Sequence, residues 1–243
     1  MPDTEPDTAL LAPPPPGPDA PAAAVVETVA AMVAHPDYPC LGARSVFRRD
    51  AVTAVVLDDL GDSSRGGSLD RLAAHLGDYA REVDADGDLV SFVACFRTPE
   101  TTDEPTFERL LWGALQHLHD QDDGAWADGV SADPGDPHFA FSVHGTAFFV
   151  VGLHPGASRI ARRSPLPTLV FNLHEQFERM RGDGRYTRMR DTIRRRDTDL
   201  QGSLNPMVGD HGDASEALQY SGRERPDDWT PPFQASPTPE ETP

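Results

Sequence analysis

The sequence contains no lysine, two cysteines and few aromatic residues, which make up 7% of the chain. All 21 basic residues are therefore arginine. They stand against 40 acidic residues, which leaves a net charge of −19. Binding to nucleic acid needs a basic footprint for the phosphates, so this composition argues against a nucleic-acid partner. No apolar run is long enough to span a bilayer, which argues against a membrane protein.

The sequence also lacks the motifs of several large enzyme classes. It has no GxxxxGK[ST] loop, no GxGxxG after a strand, no HExxH, no CxxC pair and no GxSxG. Kinases, nicotinamide dehydrogenases, zincins and serine hydrolases are therefore poor first hypotheses.

Both ends of the chain are rich in proline and poor in large apolar residues. Residues 1–21 have neither the basic start nor the apolar core of a secretory signal, so we expect a cytoplasmic protein with free cysteines. The composition predicts a disordered segment at 1–21 and a flexible tail at 226–243, whose Trp229 and Phe233 are able to dock. Residues 22–225 are predicted to form one domain.

Strand and helix patterns alternate within this domain. Apolar, β-branched runs predict strands at 51–57, 89–96, 138–143, 146–153 and 168–172. Apolar residues at helical spacing predict helices at 21–35, 69–83, 104–120, 174–181 and 185–197. His144 and Gly145 separate two of the strands and predict a hairpin turn. The pattern indicates an α+β or α/β fold, with a central mixed β-sheet flanked by helices.

The segment GLHPGASRIARR places one histidine and three arginines within ten residues. His154 ends a predicted strand and precedes Pro155, which favours an extended backbone at a sheet end where ligands bind. Arg159, Arg162 and Arg163 form a cluster that suits carboxylates or phosphates. The alternative is that these arginines only neutralise nearby acids in an acidic protein.

Two further residues are candidates for chemistry. His174 follows the helix-capping Asn172 and is either a ligand or acid–base group, or a histidine packed under a loop. Cys40 precedes a predicted turn at Gly42, where backbone N–H groups would lower the thiol pKa. The alternative for Cys40 is a small buried apolar residue. Cys95 lies inside a predicted strand and is expected in the core.

Four segments of the chain resemble the YqcI/YcgG family. They are PCLGARS, FERLLWGALQHLHDQDDGAW, the stretch from Phe148 to Arg181, and LQGSLNPMVGDHGDASEALQYSGR. The resemblance covers about His35 to Arg223 and implies a haem-dependent monooxygenase that hydroxylates a side-chain nitrogen of an amino acid or guanidine compound. It implies haem b as cofactor and an external electron donor, since no flavin or nicotinamide motif is present. The oligomeric state stays open, with a homodimer as one option.

The resemblance also implies a division of roles among the candidates. One of His154, His174 and Cys40 would bind the iron, ranked in that order, and His174 would otherwise line the open side of the iron and act in catalysis. The arginine cluster would bind the haem propionates. Arg44, near Cys40, would meet a propionate or the substrate carboxylate.

The substrate would need anionic partners for its cationic group. Asp120, Asp122 and Asp123 lie near Trp126, whose indole face would cover a cation; the alternative is a solvated acidic loop. Near the end of the domain, Tyr220 would close the pocket together with Asn205, Glu216 and Gln219. Two other functions remain open, namely a haem carrier or sensor without catalysis, and an anion-binding module without haem.

Overall fold

The computed structural model describes residues 13–100, 102–182, 184–203, 214–226 and 229–235. Within these residues the chain forms six α-helices and one five-stranded sheet. The helices are α1 Ala22–Ala34, α2 Leu41–Arg48, α3 Ser68–Glu82, α4 Glu104–Gln121, α5 His174–Gly182 and α6 Arg185–Gln201. The strands are β1 Val52–Asp59, β2 Ser91–Thr98, β3 Phe141–Val143, β4 Thr146–Leu153 and β5 Thr168–Leu173.

The strand order is β1-β2-β5-β4-β3. Only β1 and β2 pair in parallel, whereas the other three pairs are antiparallel. The sheet is therefore mixed, and the predicted α+β fold is confirmed. The β3–β4 hairpin is also as predicted, because His144 and Gly145 adopt positive φ values of 46° and 72°, as a tight two-residue turn requires.

The two faces of the sheet differ in the side chains that they carry. Side chains alternate along a strand, so Phe92 and Phe96 of β2 point to one face, while Val93 and Cys95 point to the other. The first, aromatic face packs against α3 and α4. The second, aliphatic face packs against α1, α2 and α6. Cys95 is fully buried there, as expected.

Parts of both predicted flexible ends make contacts with the domain. Arg97 donates hydrogen bonds to the carbonyls of Pro18, at 3.0 Å, and Ala20, at 2.6 Å. Phe233 is 4% exposed and packs among the aromatic rings of α4, and the Arg225 guanidinium lies 3.3 Å from the Trp229 ring centroid. The segment 229–235 thus contacts the domain through Trp229 and Phe233, the two residues of the tail that were able to dock. Residues 1–12 and 236–243 lie outside the described residues.

One helix was not predicted, namely α2, which follows Cys40. Gly42 suggested a turn, but it lies in the first turn of this helix, and Cys40 is the N-cap. None of the described helices is both long and apolar enough to cross a membrane.

Candidate functional site

A cavity of ≈ 270 Å³ lies on the aliphatic face of the sheet. Strands β2, β4 and β5 form its floor, and residues of α1, α2 and α6 surround it. Its lining is mostly apolar and includes Val33, Val93, Val151, Leu153 and Val170. These side chains are short, so they leave space that the phenylalanines fill on the aromatic face.

Cys40 lines this cavity from the N-terminus of α2. Its Sγ accepts a hydrogen bond from the backbone N–H of Ala43 at 3.4 Å. Burial nevertheless raises the pKa of the Cys40 thiol, although the N–H groups of Ala43 and Gly42 and the charge of Arg162 oppose the rise. The expected lowering of this pKa is therefore corrected, because desolvation outweighs the hydrogen bonds.

Arg162 is a partly buried cation beside Cys40. Its guanidinium donates to the backbone carbonyls of Gly152 at 3.2 Å, Gln219 at 3.0 Å and Tyr220 at 3.5 Å. No carboxylate of the described residues forms a salt bridge with it. Burial lowers the Arg162 pKa, and the neighbouring groups Tyr38, Cys40 and Asp197 oppose this. A positive charge without a paired carboxylate therefore lies at the wall of the cavity.

Arg159 also lines the cavity, but its charge is already paired. Its Nη2 forms a salt bridge with Asp197 Oδ2. The same guanidinium donates to the Ser203 hydroxyl at 3.2 Å and to the Ser203 carbonyl at 2.8 Å. The contacts of Arg159 therefore agree with the alternative interpretation, in which the arginines of the cluster neutralise nearby acids.

The other two predicted anion-binding arginines lie away from the cavity lining. Arg163 Nε donates to the carbonyl of Ala157 at 2.9 Å and so fastens its own loop. Arg44 Nη1 donates to the carbonyl of Pro36 at 3.1 Å. The structure therefore separates the predicted cluster, because Arg159 and Arg162 face the cavity and Arg163 does not.

His154 lies on the opposite side of the sheet from Cys40. It follows Leu153, which faces the cavity, so strand alternation turns His154 toward the aromatic face. The ring is stacked on Phe107 with centroids 4.3 Å apart, and the residue is 1% exposed. Burial lowers the His154 pKa, which favours a neutral imidazole.

His174 lies at the other end of the β4–β5 pair. In the β4–β5 pair, Leu153 is opposite Thr168 at one end and Phe148 is opposite Leu173 at the other. These two ends are five residues apart, or about 17 Å along the strand. His154 follows Leu153 and His174 follows Leu173, so the two histidines lie beyond opposite ends of the pair. His174 Nε2 lies 3.5 Å from Glu178 Oε1 and 3.9 Å from Glu216 Oε2. The expectation that both imidazoles border one cavity is therefore corrected.

The acidic residues predicted to bind a substrate cation do not line the cavity that contains Cys40. Asp120 accepts a hydrogen bond from Gln116 at 2.9 Å. Asp122 and Asp123 surround the hairpin residue His144, whose Nδ1 lies 3.1 Å and 3.7 Å from their carboxylates. The side-chain ligand atoms of Asp122, Asp123 and His144 lie within 4.8 Å of one another, which is a spacing that could hold a metal ion. Asp122 also accepts a hydrogen bond from the backbone N–H of His144 and thereby stabilises the turn.

Trp126 and Tyr220 belong to the aromatic core. The Trp126 ring packs near Phe139 and Phe141. Tyr220 is fully buried and stacks on Trp112, with centroids 5.7 Å apart. The predicted substrate-binding set is thus not assembled at the cavity, and these two aromatic residues stabilise the fold.

Glu216 is a buried acid of the C-terminal segment. Its Oε1 lies 2.9 Å from the Tyr220 hydroxyl, and burial raises the Glu216 pKa to about 8. From the segment expected to close the pocket, Gln219 lines the cavity. Asn205 lies outside the described residues.

Sequence reasoning missed the contribution of α6. Residues of one side of this helix line the cavity, namely Tyr186, Met189, Arg190, Ile193, Arg194 and Asp197. Their spacing of one, three or four residues is that of a single helix face. The apolar members, which recur every three or four residues in an arginine-rich helix, were a signal that could have identified the cavity wall.

An apolar cavity with few polar groups between a sheet and its helices defines a class of protein that binds a small molecule or cofactor. The model of the YqcI/YcgG family matches residues 29–234, and the chain belongs to this family. No solved structure matches the chain significantly.

Two relatives of this chain illustrate the range of the family. The chain is 29% identical over 221 residues to a Streptomyces lavendulae protein named "Putative N(omega)-hydroxy-L-arginine synthase DcsA", covering 83% of this chain and 80% of the relative. It is 28% identical over 192 residues to a Bacillus subtilis (strain 168) protein named "Uncharacterized protein YcgG", covering 75% of each chain.

Proposed function

We propose that this protein is a haem-dependent monooxygenase that hydroxylates a side-chain nitrogen of an arginine-like or lysine-like compound. The name of the Streptomyces relative supports hydroxylation of a guanidino nitrogen. The observation that carries the proposal is that the Cys40 thiol and the partly buried Arg162 guanidinium line one apolar cavity. An apolar space with one soft donor and a cation suits a flat, anionic, iron-containing cofactor.

The residues at the cavity fit haem. Cys40 is the one candidate ligand of the three that lines the cavity, so we propose it as the iron ligand in place of His154. Iron binding would displace the thiol proton, so the raised pKa of the metal-free thiol would make ligation weaker at low pH without preventing it. Arg162 lines the same cavity without a salt bridge among the described residues and would hold a propionate. Arg190 lines the cavity as well, but its guanidinium is paired with Asp191.

Haem would supply the activation of O2, with electrons from an external donor. The N–H groups of Gly42 and Ala43 would stabilise the Cys40 thiolate, and Arg162 would add a favourable charge. Donors to the sulfur also tune how much electron density it gives to the metal. The apolar walls would exclude water from the reacting nitrogen.

The test of the cofactor is the absorption spectrum of the purified protein supplied with haem. We expect a Soret band, and a carbonyl form shifted far to the red because the ligand is a thiolate. Cys40→Ala should lose this shift, whereas Cys95→Ala, at the buried cysteine with no place in the cavity lining, should keep it. A red-shifted carbonyl band in Cys40→Ala would exclude Cys40. An unshifted carbonyl band in the wild type, together with loss of haem in His154→Gln, would restore the first-ranked histidine.

The test of the reaction is product formation from L-arginine or L-lysine with O2 and a reducing system. We expect a product that contains one additional oxygen atom. A Soret band without product from either compound would favour the haem carrier or sensor.

A second function is supported by Arg162 alone. A partly buried guanidinium that forms no salt bridge with a carboxylate of the described residues would also bind the carboxylate of a metabolite, as in an anion-binding module without haem. The same spectrum separates the two functions, because this module would show no Soret band at any haem concentration.

A further inference from the structure

Asp197 of α6 is a buried carboxylate, and one of its two oxygens has no hydrogen-bond partner among the described residues. It is 8% exposed and lines the cavity that also contains Cys40. Oδ2 is paired with Arg159, whereas Oδ1 is buried and has no hydrogen-bond partner among the described residues. A buried charged acceptor without a donor is costly, so such an oxygen indicates a ligand that donates to it.

We infer that Asp197 Oδ1 binds the cationic end of the substrate, a guanidinium or an ammonium group. This inference rests on the proposed function, because it assigns the substrate subsite of the same cavity. Asp197 is the one acidic side chain that lines the cavity among the described residues. Its oxygen is a charged acceptor, which a cationic donor satisfies better than a neutral one.

The surroundings of Asp197 fix its orientation. Arg159 binds Oδ2 and is itself held by the hydroxyl and carbonyl of Ser203. The carboxylate is therefore anchored through Oδ2, and Oδ1 is the oxygen without a hydrogen-bond partner among the described residues. A substrate cation bound at Oδ1 would be held by a residue that lines the same cavity as the Cys40 thiol.

The residues previously expected to bind this cation do not compete with Asp197. Asp120 and Asp123 have no place in the cavity lining, and Asp123 is 96% exposed at its side chain. Specificity for a basic side chain would thus come from α6 and not from the acidic loop after α4.

The experiment compares L-arginine with L-citrulline, which has a neutral urea group of nearly the same shape. Calorimetric titration of the haem-loaded protein should show at least about tenfold tighter binding of L-arginine, the size of one charge-assisted hydrogen bond. Asp197→Asn should weaken L-arginine binding at least about tenfold and leave L-citrulline within about threefold. The preference for the cation would then be lost.

Three matched variants separate binding from folding. Arg159→Gln removes the anchor but keeps the carboxylate, so it should reduce the preference for L-arginine without abolishing it, and Asp120→Asn should behave as the unmodified protein. If Asp197→Asn does not fold, the double variant Arg159→Gln/Asp197→Asn removes both charges of the buried pair and is used in its place. Each variant is checked for its haem content and thermal melting before titration.

The outcomes distinguish this inference from the proposed function. Equal affinities for L-arginine and L-citrulline, or an unchanged preference in Asp197→Asn, would overturn the role of Asp197 while haem binding and turnover still support the enzyme. Failure of both L-arginine and L-lysine to bind would overturn the role of Asp197 as well as the proposed reaction.

Discussion

Glu216 should make this protein less stable as the pH rises from acidic to neutral. The residue is 8% exposed, and burial raises its pKa from 4.5 to about 8. Its Oε1 lies 2.9 Å from the Tyr220 hydroxyl, but the Nε2 of His174 lies 3.9 Å from Oε2, which is too far for a hydrogen bond. Burial therefore dominates, and the carboxyl group remains protonated at neutral pH.

The size of the effect follows from the two pKa values. Below about pH 4.5 the Glu216 carboxyl group is protonated in both the folded and the unfolded chain, so its titration does not change the free energy of unfolding. Above that pH the unfolded chain releases this proton and the folded chain keeps it, so the free energy of unfolding falls by about 1.4 kcal/mol per pH unit. Between pH 4.5 and pH 7 the loss amounts to about 3 kcal/mol, and it ends near pH 8.

The substitution Glu216→Gln removes the titration and keeps the neutral shape. Urea unfolding at pH 5, 6, 7 and 8 should show similar stability of both proteins at pH 5 and a growing advantage of the variant up to pH 8. Glu178→Gln serves as the control, because that side chain is 40% exposed and close to both His174 and Arg181. A difference between wild type and Glu216→Gln that does not change with pH would refute the argument. An advantage of the wild type at high pH would show that Glu216 is ionised and paired with His174.

Three further predictions concern packing and hydrogen bonds that stabilise the fold. Gly152→Ala should lower the free energy of unfolding by about 1–3 kcal/mol in urea, because the added Cβ would lie 2.6 Å from Leu111 Cδ1 and 2.7 Å from Phe107 Cε1; an unchanged midpoint would show that this contact relaxes freely. Phe233→Ala should cost about 3–5 kcal/mol, measured by thermal melting, whereas a docked segment of no energetic importance would give no change. A chain that begins at residue 22 should be about 1–2 kcal/mol less stable, because Arg97 loses both of its backbone acceptors. Arg97→Ala in the full chain should give a similar loss. If the truncated chain with Arg97→Ala lost the sum of the two effects, the effect of truncation would not come from the Arg97 hydrogen bonds.

The relation between sequence and structure differs between elements. The helices α3 and α4 and the strands β2 and β5 were predictable because their apolar residues recur with the period of the element. Helix α2 was not predicted, because the LGARSVFR segment is short and contains a glycine that suggested a turn. Its position decides the chemistry of Cys40, which becomes the cap of a helix that faces the cavity.

The sequence by itself determined the alternation of strands and helices and the membership of the family, because these depend on local periodicity and on long ordered motifs. It left α+β and α/β open, and the strand directions of the sheet decided between them. The tertiary structure decided which candidate residues meet. His154 follows the cavity-facing Leu153 by one residue and therefore lies on the opposite face, while the length of β5 places His174 about 17 Å of strand away. Cys40, Arg162 and Asp197 come from distant parts of the chain and line one cavity because the packing of α2 and α6 on the aliphatic face brings them there. No local pattern encodes that contact, since it depends on which face of the sheet each helix covers.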